Sequence, residues 1–381
     1  MGRAAVYDLA RAGQRVLLLD GDARAARQLA GRYGAGRARA QAVDARDVDA
    51  LARALGGAAV VINCLPYTLN IEAMHAALQA RCHYLDLGGL FHTTRKQLAL
   101  DARFRRAGLL AVLGMGSAPG ITNVLARAAC DALVRVRSIR IYNGGADSTR
   151  YASPLAFGFS PATLLDEFTQ RPIVFERGRF QAKPPRSGAE EHSFPAGEQR
   201  VHLSLHSEVA TLPLSFRDKG ARECFFKIAY DPALAERLQL LIDLGLADPR
   251  AGRRGVAPRD ILLDCFKRLP PAPEFVNDRD YLSVVVEGED RGGSARLRYD
   301  LTAGPQRRPP LSAVSRDTGF APAIVARMIL EGGIRDRGVL PPERCVPVGP
   351  FLAALAARGM PARIARTRGA HGPHSFGRSK R

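Results

Sequence analysis

Residues 59–89, AVVINCLPYTLNIEAMHAALQARCHYLDLGG, hold the pattern that decides the fold. Ala59-Val60-Val61-Ile62-Asn63 is an apolar run closed by a polar residue, residues 70–80 carry a helical pattern, and His83-Tyr84-Leu85-Asp86 is a second short run. Strand, helix and strand at this spacing make a βαβ unit, whose strands are apolar throughout because helices cover both faces of a parallel sheet. Working toward the N-terminus, the spacing predicts a helix over 3–12, a strand at 16–20, a helix over 22–33, a strand at 40–44 and a helix over 47–55. In the other direction it predicts a helix over 94–107 and a strand at 109–113. The class is therefore α/β, a Rossmann-like doubly wound parallel sheet. Asp20, Asp44, Asn63 and Asp86 each close a strand, and the carboxyl edge they share is where such sheets bind ligands.

Past Pro119-Gly120 the pattern changes to longer strands, at 138–142, 201–205, 223–230, 281–287 and 294–301, with a polar Gly/Pro-rich stretch over 177–200 and a helix over 321–332. This predicts a second, α+β domain over 121–311 with a mixed or antiparallel sheet, after a dinucleotide-binding domain over 1–120. Residues 363–381, which include a Gly, His, Ser and basic stretch without apolar periodicity, are expected to form a disordered basic tail.

Composition narrows the function. The chain has 381 residues, 46% of them hydrophobic, enough for two globular cores. A net charge of +19 raises the question of a nucleic-acid partner, but the 56 basic residues are nearly all arginine and are spread along the chain, so no nucleic acid is expected. No apolar run is long enough to span a bilayer and no secretory leader pattern opens the sequence, which predicts a cytoplasmic protein with no membrane partner. The six cysteines lack the close pairs that metal sites use, so no metal is expected.

Dinucleotide-binding sheets open with a buried strand and a G-x-G-x-x-G turn, followed by an acidic residue ~20 residues on. Here Gly2 takes the place of the third glycine, Arg3 begins the helix, and Asp20 stands 18 residues later at the end of the next strand. A carboxylate there accepts from a ribose 2′-hydroxyl, so NAD is the expected cofactor, with NADP as the second choice. The first strand and first glycines are missing from this pattern, and the reading expects them upstream of Met1.

Four segments carry a resemblance to a known family: Asn63-Cys64-Leu65-Pro66-Tyr67-Thr68, Tyr84-Leu85-Asp86-Leu87-Gly88-Gly89, Gly114-Met115-Gly116-Ser117-Ala118-Pro119-Gly120-Ile121-Thr122-Asn123, and Gly338-Val339-Leu340-Pro341-Pro342-Glu343. Together they resemble the saccharopine dehydrogenase-like family, in order from Gly2 to about Gly359. The resemblance implies a nicotinamide enzyme acting at a carbon–nitrogen bond of an amino acid. It also implies a Rossmann domain completed by residues from about 312 to 362, and a homo-oligomer. Lysine 6-dehydrogenase chemistry, oxidation of the terminal amine carbon, is the activity preferred on Ala118. Saccharopine or carboxynorspermidine chemistry is the enzyme alternative, and a non-catalytic relative is the other.

The resemblance also assigns residues. Tyr67 would orient or protonate the reacting nitrogen, or else simply pack in its loop. Asp86 would steady an ammonium substrate or serve as base, or else bond its own turn. Gly2, Arg3, Asp20, Asp44, Cys64, Leu65, Pro66, Gly88 and Gly89 fall to the cofactor. In the second domain Glu208, Thr211 and Arg222 lie in a segment similar to relatives, with Thr211 and Arg222 assigned to substrate, the arginine to its α-carboxylate. Asn123, at the start of a helix, is expected to cap or to pack rather than to touch substrate, and His83 and His92 to be structural.

Overall fold

The computed structural model describes residues 1–250 and 255–368. Its N-terminal part runs α1 (Gly2–Arg11), β1 (Val16–Asp20), α2 (Ala23–Tyr33), β2 (Ala38–Ala42), α3 (Val48–Ala54), β3 (Val60–Asn63), α4 (Asn70–Ala80), β4 (His83–Asp86), α5 (Leu90–Leu98), α6 (Asp101–Ala107) and β5 (Leu110–Val112). Local chemistry sets these boundaries. Asp22 and Asp47 cap α2 and α3 by accepting from the first free amides, while α4 and α6 stop where Arg81 and Gly108 turn left-handed. The single helix expected over 94–107 is two helices broken at Ala99-Leu100, and β2 lies two residues before its expected place.

Then come α7 (Ile121–Asp131), β6 (Arg135–Asp147), α8 (Pro161–Thr169), β7 (Ile173–Glu176), β8 (Arg179–Ala182), β9 (Glu190–Phe194), β10 (Gly197–Leu203), α9 (Leu212–Ser215) and β11 (Glu223–Ile228). The remainder is α10 (Pro232–Asp243), α11 (Pro258–Lys267), β12 (Asp278–Asp290), β13 (Gly293–Ala303), α12 (Ala313–Leu330), β14 (Gly338–Leu340), α13 (Pro342–Cys345), α14 (Val348–Ala356) and β15 (Ala362–Arg368). Residues 363–368, expected in the tail, belong to β15, which pairs antiparallel with β13. The rest of the expected tail, 369–381, lies outside the described residues.

Among the described residues the strands form three sheets. β14, β5, β4 and β3 make a four-stranded parallel sheet, so a C-terminal strand joins the N-terminal Rossmann elements. A nine-stranded mixed sheet runs β15-β13-β12-β6-β11-β10-β9, with β7 and β8 attached at β11; only β6 and β11 are parallel in it. β1 and β2 form a separate parallel pair. Among the described residues β1 and β3 each pair on one side only, so the Rossmann strands fall into two separate parallel sheets. Burial follows: Leu17 in β1 is 43% exposed, whereas Leu85 in β4 and Ala111 in β5 are fully buried.

Helix α12 ties the pieces together, packing on α1, β3 and β12. Its closest approach to α1 depends on Gly319, where a Cβ would stand 2.6 Å from Ala4 Cβ and 2.7 Å from the Met1 carbonyl oxygen. The largest core lies between the parallel sheet and the inner face of the mixed sheet, filled by α7 and α12. A satellite core of Leu164, Leu165, Phe168, Leu238 and Phe266 holds α8, α10 and α11 together at one side of the second domain. No helix among the described residues is long and apolar enough to cross a membrane.

Candidate active site

The carboxyl ends of β3 and β4 open onto a cleft of about 1110 Å³ whose opposite wall is the second domain. On the Rossmann side the wall is Arg3, the segment Cys64-Leu65-Pro66-Tyr67, and Leu87-Gly88. Gly88 sits at φ +125°, and a Cβ there would stand 2.9 Å from the Pro119 ring, so the turn needs glycine to pass so near. Gly2 begins α1 beside the Cys64 side chain, at 3.9 Å from a Cβ position. The Gly89 amide donates to Ser207 Oγ at 3.1 Å, which pins this turn to the second domain.

Asp86 occupies a different position from the one expected of a catalytic group. It is 1% exposed and does not line the cleft. Its carboxylate accepts from the amides of Gly88 (3.0 Å) and Gly114 (2.6 Å), from Gln97 Nε2 (2.5 Å), from the Tyr84 hydroxyl (3.0 Å) and from Asn70 Nδ2 (3.3 Å). Five donors saturate it. Asp86 is thus the anchor of the Leu87-Gly88-Gly89 turn and not a group open to substrate. Arg222 and Thr211 are also away from the cleft. Arg222 is exposed, while Thr211 is buried with its hydroxyl on the Glu208 carbonyl at 3.4 Å. Asn123 caps α7 as expected, accepting from the Gly120 amide at 3.0 Å.

Asp20 and Asp44 are exposed and lie outside the cleft. Asp20 ends β1 and takes the Asp22 amide on one oxygen at 2.9 Å. Asp44 stands two residues past the end of β2, and the Arg46 guanidinium beside it holds its carboxyl at about 2. A dinucleotide suits this frame. The first amides of α1, which a helix leaves without internal acceptors, adjoin Cys64 at the cleft, and the Asp20 carboxylate stands at the carboxyl end of β1, in the neighbouring β1–β2 pair.

Tyr67 lines the cleft, with its hydroxyl on Asp166 Oδ2 at 2.8 Å; Asp166 in turn pairs with Arg259 at 2.9 Å. Burial, then Asp166, push the phenol up to about 12. Tyr67 therefore keeps its proton and bridges the Rossmann wall to α8.

Most of the polar groups facing Tyr67 were not legible in sequence. Glu167, one residue along α8 from Asp166, is buried and accepts from the Tyr230 hydroxyl at 2.6 Å. Burial pushes its carboxyl up to about 7, against the pull of His206 and Tyr230. His206 lines the cleft with Nδ1 hydrogen-bonded to the buried Glu208. Across the floor, Asp280 of β12 accepts from Asn143 Nδ2 at 2.8 Å and Ser117 Oγ at 3.1 Å. Asp317 of α12 abuts Asp280; burial, then that neighbouring charge, push its carboxyl well above the usual range. Asp278 accepts from the Ala313 amide at 2.7 Å, at the start of α12. These groups come from α8, the loop after β10, β12 and α12, so no local sequence pattern gathers them.

With this geometry in view, the family is decided by two matches: residues 1–112 match the saccharopine dehydrogenase NADP binding domain, and residues 116–360 match the saccharopine dehydrogenase C-terminal domain. The chain belongs to the saccharopine dehydrogenase family. It is an NAD(P)-binding oxidoreductase of that family. A carboxyaminopropylagmatine dehydrogenase of Synechocystis is 26% identical over 354 residues, covering 88% of this chain and 87% of that protein. A carboxynorspermidine synthase of Vibrio alginolyticus is 24% identical over 346 residues, 84% of this chain and 81% of its own. Neither is a lysine 6-dehydrogenase. Saccharopine dehydrogenase (L-Glu forming) of Saccharomyces cerevisiae shares the fold, with a TM-score of 0.73 at 16% identity over 96% of this chain and 97% of that one.

Proposed function

We propose that this saccharopine dehydrogenase family member transfers a hydride between a nicotinamide dinucleotide and the carbon of a secondary C–N bond, in a substrate that joins an amino-acid carboxylate to a cationic amine chain. The observation that carries this reading is the pair of buried carboxyls, Glu167 and Asp280, set in the second-domain wall opposite Cys64–Tyr67. Buried carboxyls in a cleft seek cations, and an amine or ammonium supplies one. Arg200, Arg237 and Arg279 at the same cleft are exposed and suit a substrate carboxylate. The names of the relatives from Synechocystis and Vibrio support a carboxylated polyamine-like substrate over lysine itself.

The cofactor supplies the hydride acceptor or donor; Arg3, Cys64, Leu65, Pro66 and Gly88 would border its reactive end, and the first amides of α1 its pyrophosphate. Asp20 favours NAD, because its carboxylate accepts from a ribose 2′-hydroxyl and repels a 2′-phosphate. The test is oxidation of carboxynorspermidine, carboxyaminopropylagmatine, saccharopine and lysine with NAD⁺ and NADP⁺, followed at the reduced nicotinamide absorbance. Turnover of one of the first two, above saccharopine and lysine, is the expected result. Preference for lysine would return the activity to terminal-amine oxidation, and turnover of none would remove the reading.

A further inference from the structure

Hydride transfer at a C–N bond moves protons on nitrogen, so the cleft must hold a group placed to carry them. Tyr67 holds its proton too tightly and directs its hydroxyl at Asp166. Asp86 is saturated and outside the cleft. His206 is placed otherwise. Its Nδ1 is taken by Glu208, which is itself fully buried and fixed by the Thr122 hydroxyl on Oε1 at 2.8 Å. The imidazole lies flat on Phe226, with centroids 3.7 Å apart and planes 8° from parallel, so the ring cannot swing. Nε2 is the remaining nitrogen of a ring that lines the cleft. The next residue, Ser207, accepts the Gly89 amide, so the loop bearing His206 is tied directly to the turn at the end of β4.

We propose that His206, oriented by Glu208, is the group that takes and returns the proton on the substrate nitrogen; this rests on the hydride-transfer reading above. In the oxidative direction Nε2 takes a proton from the substrate ammonium, leaving a neutral secondary amine. The C–H bond then breaks with its electron pair going to the nicotinamide, and the C–N bond becomes C=N⁺. Water adds to that carbon, and the dyad moves the proton from the added oxygen to nitrogen. The C–N bond breaks as the carbonyl forms, the amine leaves as an ammonium, and one proton passes to solvent. Overall the secondary ammonium, oxidised dinucleotide and water give a carbonyl compound, a primary ammonium, reduced dinucleotide and one proton.

The groups facing His206 set when it carries that proton. Burial alone would lower its pKa, but Glu208 on its own loop and Glu167 from α8 outweigh burial and hold it above the ordinary histidine value. Tyr230, past the end of β11, donates to Glu167, and Cys224 of β11 lies near Glu208.

The experiment uses the full-length enzyme with whichever of the four amines it oxidises, together with H206N, H206Q and E208Q. Expected for both His206 variants is a fall in kcat of ~100-fold or more with the dissociation constant for reduced dinucleotide within twofold of wild type. E208Q is expected to lower kcat by less than the His206 variants do and to move the acidic limb of the kcat/KM profile to lower pH, because the imidazolium loses its carboxylate. His206 variants within fivefold of wild-type kcat, or an acidic limb unmoved in E208Q, would overturn the assignment. If the wild type oxidises none of the four amines, the functional reading fails separately. The dyad is then read by ¹³C-histidine NMR. A His206 resonance that titrates above the ordinary value in wild type and lower in E208Q upholds the arrangement, and one that E208Q leaves unchanged overturns it.

Discussion

Replacing Asp86 by alanine separates an anchoring role from a chemical one. The substitution removes the acceptor of five donors in a site that is 1% exposed. The Tyr84, Gln97 and Asn70 side chains can turn toward one another or toward Asn63, but the amides of Gly88 and Gly114 are fixed by the backbone. Each buried donor left without an acceptor costs about 1–3 kcal/mol, so two such amides and a partly re-formed network give an expected loss of about 4 kcal/mol. Against a total stability of about 5–15 kcal/mol that is a large fraction, and urea unfolding would register it as a lower midpoint at an unchanged slope. D86N, which retains one carbonyl acceptor but brings an NH₂ against other donors, should lose about 2 kcal/mol. Activity should fall in proportion to the folded fraction and to weakened dinucleotide binding at the Gly88 turn. A D86A protein within about 1 kcal/mol of wild type yet inactive would refute this reasoning and return Asp86 to the chemistry.

Three further outcomes follow from the geometry. Glu167 is raised to about 7 from an ordinary 4.5, so its contribution to stability is full below the unfolded value and is lost as pH rises through about 7. E167Q should therefore flatten the pH 4.5–7 stability slope, by up to about 3 kcal/mol in thermal or urea unfolding, and abolish any gain in cationic-substrate affinity over that range. G319A should destabilise by about 2 kcal/mol and weaken dinucleotide binding, because the methyl would displace α1, whereas G31A in α2, with nothing within 4 Å of the new Cβ, should gain about 0.5–1 kcal/mol. Parallel unfolding curves for the two glycine variants would contradict that account. D20S should shift the preference between NADH and NADPH toward NADPH by ~10-fold in fluorescence titration, and an unchanged ratio would remove Asp20 from the ribose site.

The Rossmann half was legible because β1, β3 and β4 are apolar runs ending in a polar residue, and strand ends are where the fold places ligands. Where the run was weak, the reading slipped: Ala38-Arg39-Ala40-Gln41-Ala42 has no apolar block, and β2 was placed two residues late. β8 and β9 lie in the polar stretch 177–200, where edge hairpins have too little buried surface to impose alternation. The satellite helices α8, α10 and α11 were missed although each opens with proline, at Pro161, Pro232 and Pro258, behind Ser160, Asp231 or Ala257. Of the site, Arg3, Cys64, Leu65, Pro66, Tyr67 and Gly88 were found at the cleft because they sit near chain turns of the first domain. His206, Glu167 and Asp280 escaped because only the tertiary fold joins them. Asp86 was misassigned because a carboxylate at a strand end looks the same in sequence whether it faces solvent or five donors.

The break between β1 and β3 has a mechanical consequence. Among the described residues the piece of sheet that ends in Asp20 pairs its strand with β2 alone, and α1, packed on both β1 and α12, is one of the elements that attach it to the rest. Such a piece can open by itself, with its amides exchanging with solvent at a lower free energy than those of β4 or β5. A dinucleotide reaching from Asp20 to Gly88 would act as a strut across that break, so part of its binding free energy would appear as slower amide exchange in β1 and β2 and the remainder as affinity.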